Sequence, residues 1–198
     1  MFNKIKLDYD TLNPYIDDET LYLNYNKYYG KYLETLNSLL EKGNYNFNSL
    51  IDIIKNQDSI NLNERGEILY NLGGVLNHSL YFYDMSNKKN NIPVKELKEK
   101  IDSTYGNYNN FKKEFTKSAL SLVGNGYTFL VLDNDNLKII NLSNEDTPYF
   151  YDYTPLIALD LWEHAYFLKY KNDKESYINS WFNLLDYEKI NDLYLKTK

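Results

Sequence analysis

Asp160 and His164 stand four residues apart in Asp160-Leu161-Trp162-Glu163-His164-Ala165-Tyr166. A carboxylate and an imidazole at that spacing can close on one cation, and a hard oxygen with a borderline nitrogen suits iron or manganese. His164 is one of only two histidines in 198 residues. The other, His78, lies in Asn77-His78-Ser79-Leu80-Tyr81-Phe82 and also adjoins aromatic residues. For an isolated D-x-x-x-H the default is structural: Asp160 caps a helix, and His164 is a core histidine with a local partner. His78 alone would be a buried histidine bonded to backbone. The wider context of Asp160–Tyr166, together with a second histidine in an aromatic setting, turns the balance toward a metal site. With no cysteine in the chain, disulfides, thiolate ligands and thiol catalysis are excluded, and nothing is learned of the redox compartment.

The elements that must bring these residues together are legible as periodicities. Leu21, Tyr25, Tyr28, Tyr29, Tyr32, Leu33, Leu36 and Leu40 recur at three- and four-residue spacing, predicting one long helix over 18–42. Asp17 or Asp18 would cap it, and Gly43 would stop it. A short helix is predicted over 47–57 and another long one over 63–85, the latter carrying His78. Gly73-Gly74 inside that helix costs helix propensity, which points to close packing against a neighbour. The polar run Ser86–Pro93 reads as a linker. Beyond it, helices over 94–104 and 107–122 precede a hairpin, with strands at 127–132 and 137–142 around Asp133-Asn134-Asp135-Asn136. A third strand over 155–159 would deliver Asp160 at its end, and helices follow from about Tyr166 and from Tyr177 onward.

Composition bounds the function. The chain is 43% hydrophobic and 25% charged, the profile of a globular protein, with 22 tyrosines supplying much of the apolar mass. Its net charge of −6 and single arginine, Arg65, argue against a nucleic-acid partner. No stretch approaches the ~20 apolar residues that span a bilayer, and Met1–Asp8 lacks a signal-peptide core. No membrane association and a cytoplasmic location are the expectations. The abundance of Asn, Lys, Ile and Tyr reads as a genome-wide bias.

The Asp160–Tyr166 segment resembles the D-x-W-E-H-A-Y signature of the iron/manganese superoxide dismutase family, and His78 matches the N-H-x-x-[FY]-[FW] context of another ligand in that family. The likeness runs along nearly the whole chain. Leu7–Ile16 is similar to L-x-Y-x-x-x-L-x-P-x-I, Gly124–Leu130 to G-S-G-W-A-W-L, Asn144–Pro148 to N-Q-D-x-P, and Tyr177–Leu185 to Y-x-x-x-[FW]-[WF]-N. The resemblance implies an α+β fold: an N-terminal antiparallel helical hairpin over 1–87, and a C-terminal α/β domain over 93–198 with a small three-stranded antiparallel sheet. It also implies one Mn or Fe ion per subunit, superoxide as substrate and a homodimer.

Carried over residue by residue, the family's metal ligands fall on His78, Asp160 and His164, while the first-helix ligand falls on Asn24. There the family reads H-H-x-K-H-H-x-x-Y and this chain reads Asn24-Tyr25-Asn26-Lys27-Tyr28-Tyr29-Gly30-Lys31-Tyr32. Tyr32 matches the gateway tyrosine. The position that donates to metal-bound solvent in the manganese-type branch is Gln there and Glu145 here; a carboxylate donates only when protonated, and Glu145 could instead ligate. Gly74 and the placement of Glu145 resemble the manganese-type arrangement, favouring Mn. Glu163, by the same resemblance, reaches the partner subunit's His164. Trp162 is retained, and Tyr28 and Phe167 replace an outer histidine–tyrosine pair. Two outcomes are therefore implied: a dismutase catalysed with Tyr32 and Glu145, or a metal-binding or structural homologue of lost or altered activity, possibly with a His78/Asp160/His164/Glu145 shell.

Overall fold

The computed structural model describes residues 1–88 and 91–197. The first long helix is a continuous run in three parts: α1 (Asp18–Tyr22), a π-helical segment (Leu23–Tyr29) and α2 (Gly30–Lys42). Asp17 caps it, its side chain accepting the Thr20 N–H. The expected uniform helix is thus widened in the middle, the kind of distortion that often marks functional positions. The widening alters the faces as well. Asn24 is turned into the interior, whereas Tyr28, expected on the buried stripe, is 44% exposed.

A short helix, α3 (Leu50–Lys55), leads to α4 (Leu62–Asp84), which pairs with α2 to make the hairpin. The two glycines of α4 allow the close approach that the sequence implied. A Cβ built on Gly73 would lie 1.9 Å from the Glu145 carbonyl oxygen, and one on Gly74 would lie 2.6 Å from the Tyr32 ring. Ser86, at the start of the expected linker, is buried and donates its N–H to Leu184 O. Lys89 and Asn90 of that linker lie outside the described residues.

The C-terminal half opens with α5 (Lys95–Tyr105) and α6 (Tyr108–Ser121). Strands β1 (Gly126–Asp133), β2 (Asn136–Ser143) and β3 (Thr154–Asp160) follow, forming an antiparallel sheet in the order β2-β1-β3. The register pairs Tyr127 with Asp160 and Phe129 with Ala158, and slips at Leu130/Val131. As the edge strand, β3 would expose unpaired backbone groups, but α4 packs along it. The two closing helical stretches expected from about Tyr166 and from Tyr177 appear as α7 (Phe167–Tyr170), α8 (Lys174–Trp181) and α9 (Tyr187–Leu195). Asp173 caps α8 and starts it three residues before Tyr177, and Asp186 caps α9 afresh, which breaks the single run anticipated from Tyr177. The fold is α+β, as the sequence implied.

The glycines of α4 give a paired test. Gly73→Ala and Gly74→Ala should each lower stability by about 1–3 kcal/mol through overpacking, whereas exposed Gly66, whose Cβ would meet nothing within 4 Å, should gain about 0.5–1 kcal/mol on replacement by Ala. Urea unfolding that ranks the three variants alike would contradict this packing.

Candidate metal centre

Asp160 ends β3 fully buried, and its two carboxyl oxygens have separate roles. Oδ1 accepts the Trp162 N–H at 2.9 Å, locking the carboxyl at the turn that follows the strand. Oδ2 faces inward and gathers three nitrogens: Asn24 Nδ2 at 3.0 Å, His164 Nε2 at 3.2 Å and His78 Nε2 at 3.8 Å. Burial opposes charge on Asp160, but His164, His78 and the Trp162 N–H outweigh it and hold the carboxyl below its ordinary range. The Asp160 backbone carbonyl accepts the Tyr177 hydroxyl at 2.9 Å, fixing the end of the strand from the other side.

His78 comes from the middle of α4 and is completely buried. Its Nδ1 lies 2.7 Å from Gly74 O, the carbonyl one turn earlier. That carbonyl can only accept, so Nδ1 carries the proton and Nε2 presents its lone pair toward Asp160. Burial lowers His78 to about 4, so the ring is neutral, as a ligand must be. His164 arrives on the 3-10 turn Glu163–Ala165 directly after the strand. Tyr28 stacks on it with centroids 3.9 Å apart and planes at 16°. Tyr28, itself 44% exposed, thus covers one face of the His164 ring.

Among the described residues, His78, Asp160 and His164 are the group of histidine and acidic side chains that can hold an ion, with ligand atoms all within 4.8 Å of one another. Two imidazoles and one carboxylate suit Mn or Fe with positions left open. Asn24 lies at the same focus but turns its amide N–H to Asp160, while its Oδ1 is buried without a hydrogen-bond partner. An unsatisfied buried acceptor costs about 1–3 kcal/mol. The donor set fits a single ion; the carboxamide competes for the same carboxylate oxygen.

Glu145 is 1% exposed and outside that three-residue group. Neither of its carboxyl oxygens has a partner in hydrogen-bond geometry, although the Tyr32 and Tyr127 hydroxyls and the Asn77 amide face it closely enough to favour its charge. Burial, with the Asp160 charge added, prevails and pushes Glu145 up to about 8. At neutral pH it is a protonated acid able to donate, as Gln would. Tyr32 packs its ring 5.4 Å from His78, and its hydroxyl is pushed up by burial and then by the Glu145 charge. Trp162 stacks 5.9 Å from His164 and donates Nε1–H to Asn144 O at 3.4 Å. Glu163 and Phe167 are on the surface, apart from the focus.

The superoxide dismutase C-terminal-domain model of the iron/manganese type matches residues 93–193, and the α-hairpin-domain model of the same family matches residues 1–86. The chain belongs to the iron/manganese superoxide dismutase family. Family membership accounts for the two-part order of hairpin and sheet and for a metal-type donor set where the parts meet. Sequence reasoning missed the contributions of Tyr127 and Tyr177. The Tyr127 hydroxyl lies 3.4 Å from His78 Nε2, and Tyr177 holds the Asp160 carbonyl. The continuous apolar run of β1 and the helical spacing on α8 mark them as buried, which for a tyrosine requires a hydroxyl partner.

The two shifted groups act oppositely on stability in the metal-free chain. His78 binds fewer protons folded than unfolded between about 4 and 6.5, so its contribution is lost as pH falls through that window. Glu145 binds more protons folded than unfolded between 4.5 and about 8, so its contribution is lost as pH rises. Glu145→Gln should therefore gain stability over the parent between pH 5 and pH 8, by more than about 1 kcal/mol. Superimposable pH profiles of urea unfolding would contradict the assignment.

Proposed function

We propose that this family member holds one Mn or Fe ion per subunit on His78, Asp160 and His164 and dismutates superoxide to oxygen and hydrogen peroxide. The observation that carries the reading is the convergence of His78 Nε2 and His164 Nε2 on Asp160 Oδ2, with the His78 tautomer set by Gly74 O. When bound, the ion supplies the one-electron exchange that superoxide disproportionation requires. The residues around it handle position and protons. Asp160 offers negative charge, and Trp162 N–H and Tyr177 hold it in place. Protonated Glu145 and the Tyr32 hydroxyl supply donors on the side facing His78, and the buried aromatic walls exclude bulk water. The resemblance of Gly74 and of the placement of Glu145 to the manganese-type arrangement favours Mn over Fe.

A second reading, a metal-binding homologue of reduced activity, is favoured by one contact. Asn24 donates to Asp160 instead of lending the ion a fourth donor. Exposed Tyr28, Phe167 and Leu168 around exposed Glu163 support a homodimer through this face. The division at 1–87 and 93–198, superoxide as the small-molecule partner and a cytoplasmic location belong to the same reading. Among the described residues, no helix is long and apolar enough to cross a membrane.

Metal analysis of the purified chain should find close to one Mn or Fe per subunit, removed by His78→Ala or His164→Ala. Asn24→His should tighten retention by on the order of ten-fold or more and raise superoxide turnover. No ion on either the parent or Asn24→His would contradict the metal reading. Turnover confined to Asn24→His would establish the second reading.

A further inference from the structure

Asp84 is the last residue of α4 and is completely buried, six residues beyond His78 on the same helix. Its Oδ2 accepts the N–H of Ala158, two residues before Asp160 on β3, at 3.0 Å. Ala158 pairs with Phe129 across the sheet, but β3 is an edge strand. The Ala158 N–H points away from β1, to the side that α4 covers. Without Asp84 that N–H would be a buried donor facing a helix whose own backbone groups are already engaged. The other Asp84 oxygen, Oδ1, has no hydrogen-bond partner among the described residues. A carboxyl kept in such a place at the cost of one unsatisfied oxygen is there for the bond that it does make.

The end of α4 is held from further directions. Asp186 donates its N–H to Asp84 O at 2.7 Å, and Tyr9 donates its hydroxyl to Phe82 O at 3.0 Å. Lys189 reaches the carbonyls of Tyr83 and Met85 at 3.4 and 3.3 Å. These contacts fix the helix end in the chain around it. Among the Asp84 and helix-end hydrogen bonds, the Asp84–Ala158 bond is the one that ties it to the strand bearing Asp160.

We propose that Asp84 is a positioning residue: by bonding Ala158 N–H it sets α4 against β3, and so sets His78 Nε2 relative to the Asp160 carboxylate. The proposal rests on the metal-centre reading only in its consequence for affinity. The geometry of the two imidazoles can be read without metal.

The test compares the parent with Asp84→Asn, which keeps a carbonyl for Ala158 N–H, and Asp84→Ala, which does not. Should Asp84→Ala fail to fold, Asp84→Leu takes its place, filling the volume without accepting the bond. Ile101→Val, a buried change on α5, serves as a stability control. With only two histidines in the chain, nitrogen-15 histidine spectra of the metal-free proteins resolve each ring. The expected result is a displaced His78 signal in Asp84→Ala and parent-like spectra in Asp84→Asn and the control. Titration with Mn(II) alone should give binding weaker by on the order of ten-fold in Asp84→Ala and within about two-fold of the parent in Asp84→Asn. Parent-like His78 signals in Asp84→Ala, or equal displacement in the control or in Asp84→Asn, would overturn the proposal. If the parent binds no Mn(II), the metal reading fails while the histidine spectra still decide the positioning claim.

Discussion

One buried carboxylate oxygen, Asp160 Oδ2, organises this molecule. A charge with no exposure is tolerable only if donors or a cation stand near it. Asn24 Nδ2 donates to this oxygen, His164 Nε2 lies 3.2 Å from it, and His78 Nε2 turns its lone pair toward it from 3.8 Å, three nitrogens from three parts of the chain. The π-helical widening of the first helix places Asn24 there, the middle of α4 places His78, and the turn after β3 places His164. The hairpin and the sheet therefore share an electrostatic requirement besides an apolar interface. Gly73 and Gly74 permit the approach, since any side chain at either position would strike Glu145 or Tyr32.

The departures from the family pattern have a common physical sense. Asn24 stands where the resemblance implies an imidazole that would donate electrons to a cation, and it instead donates a hydrogen bond to the carboxylate. Glu145 stands where the resemblance implies an amide and, with its carboxyl pushed up by burial and by Asp160, keeps the ability to donate. On the proposed reading, the first difference changes what the centre can bind, and the second conserves a hydrogen-bonding role with a different group. Tyr28 stacks on His164 and covers one face of its ring.

Much of this was legible in the sequence. The helical first half, the mixed second half, the three strands and the close packing at Gly73-Gly74 followed from periodicity, turn residues and the cost of glycine in a helix; the hairpin pairing and the α+β class came from the family resemblance. His78, Asp160 and His164 stood out by scarcity and spacing. What was hidden depended on long-range geometry. The π-helical segment leaves no local signature in Leu23–Tyr29, and within it Tyr28 is half exposed and Asn24 buried. The break between α8 and α9 comes with Asp186, an ordinary acid until its capping bond is seen. Asp84 is one carboxylate at the end of an apolar helix, and its meaning depends on an edge strand 74 positions later in the chain.

The most direct measurement of the central claim is anomalous X-ray diffraction from crystals of the chain loaded with manganese. A single anomalous peak joined to His78, Asp160 and His164, with the Asn24–Asp160 hydrogen bond broken, is the result expected. Crystals grown with manganese that show no peak there, or a peak held by other residues while Asn24 still donates to Asp160, would contradict it.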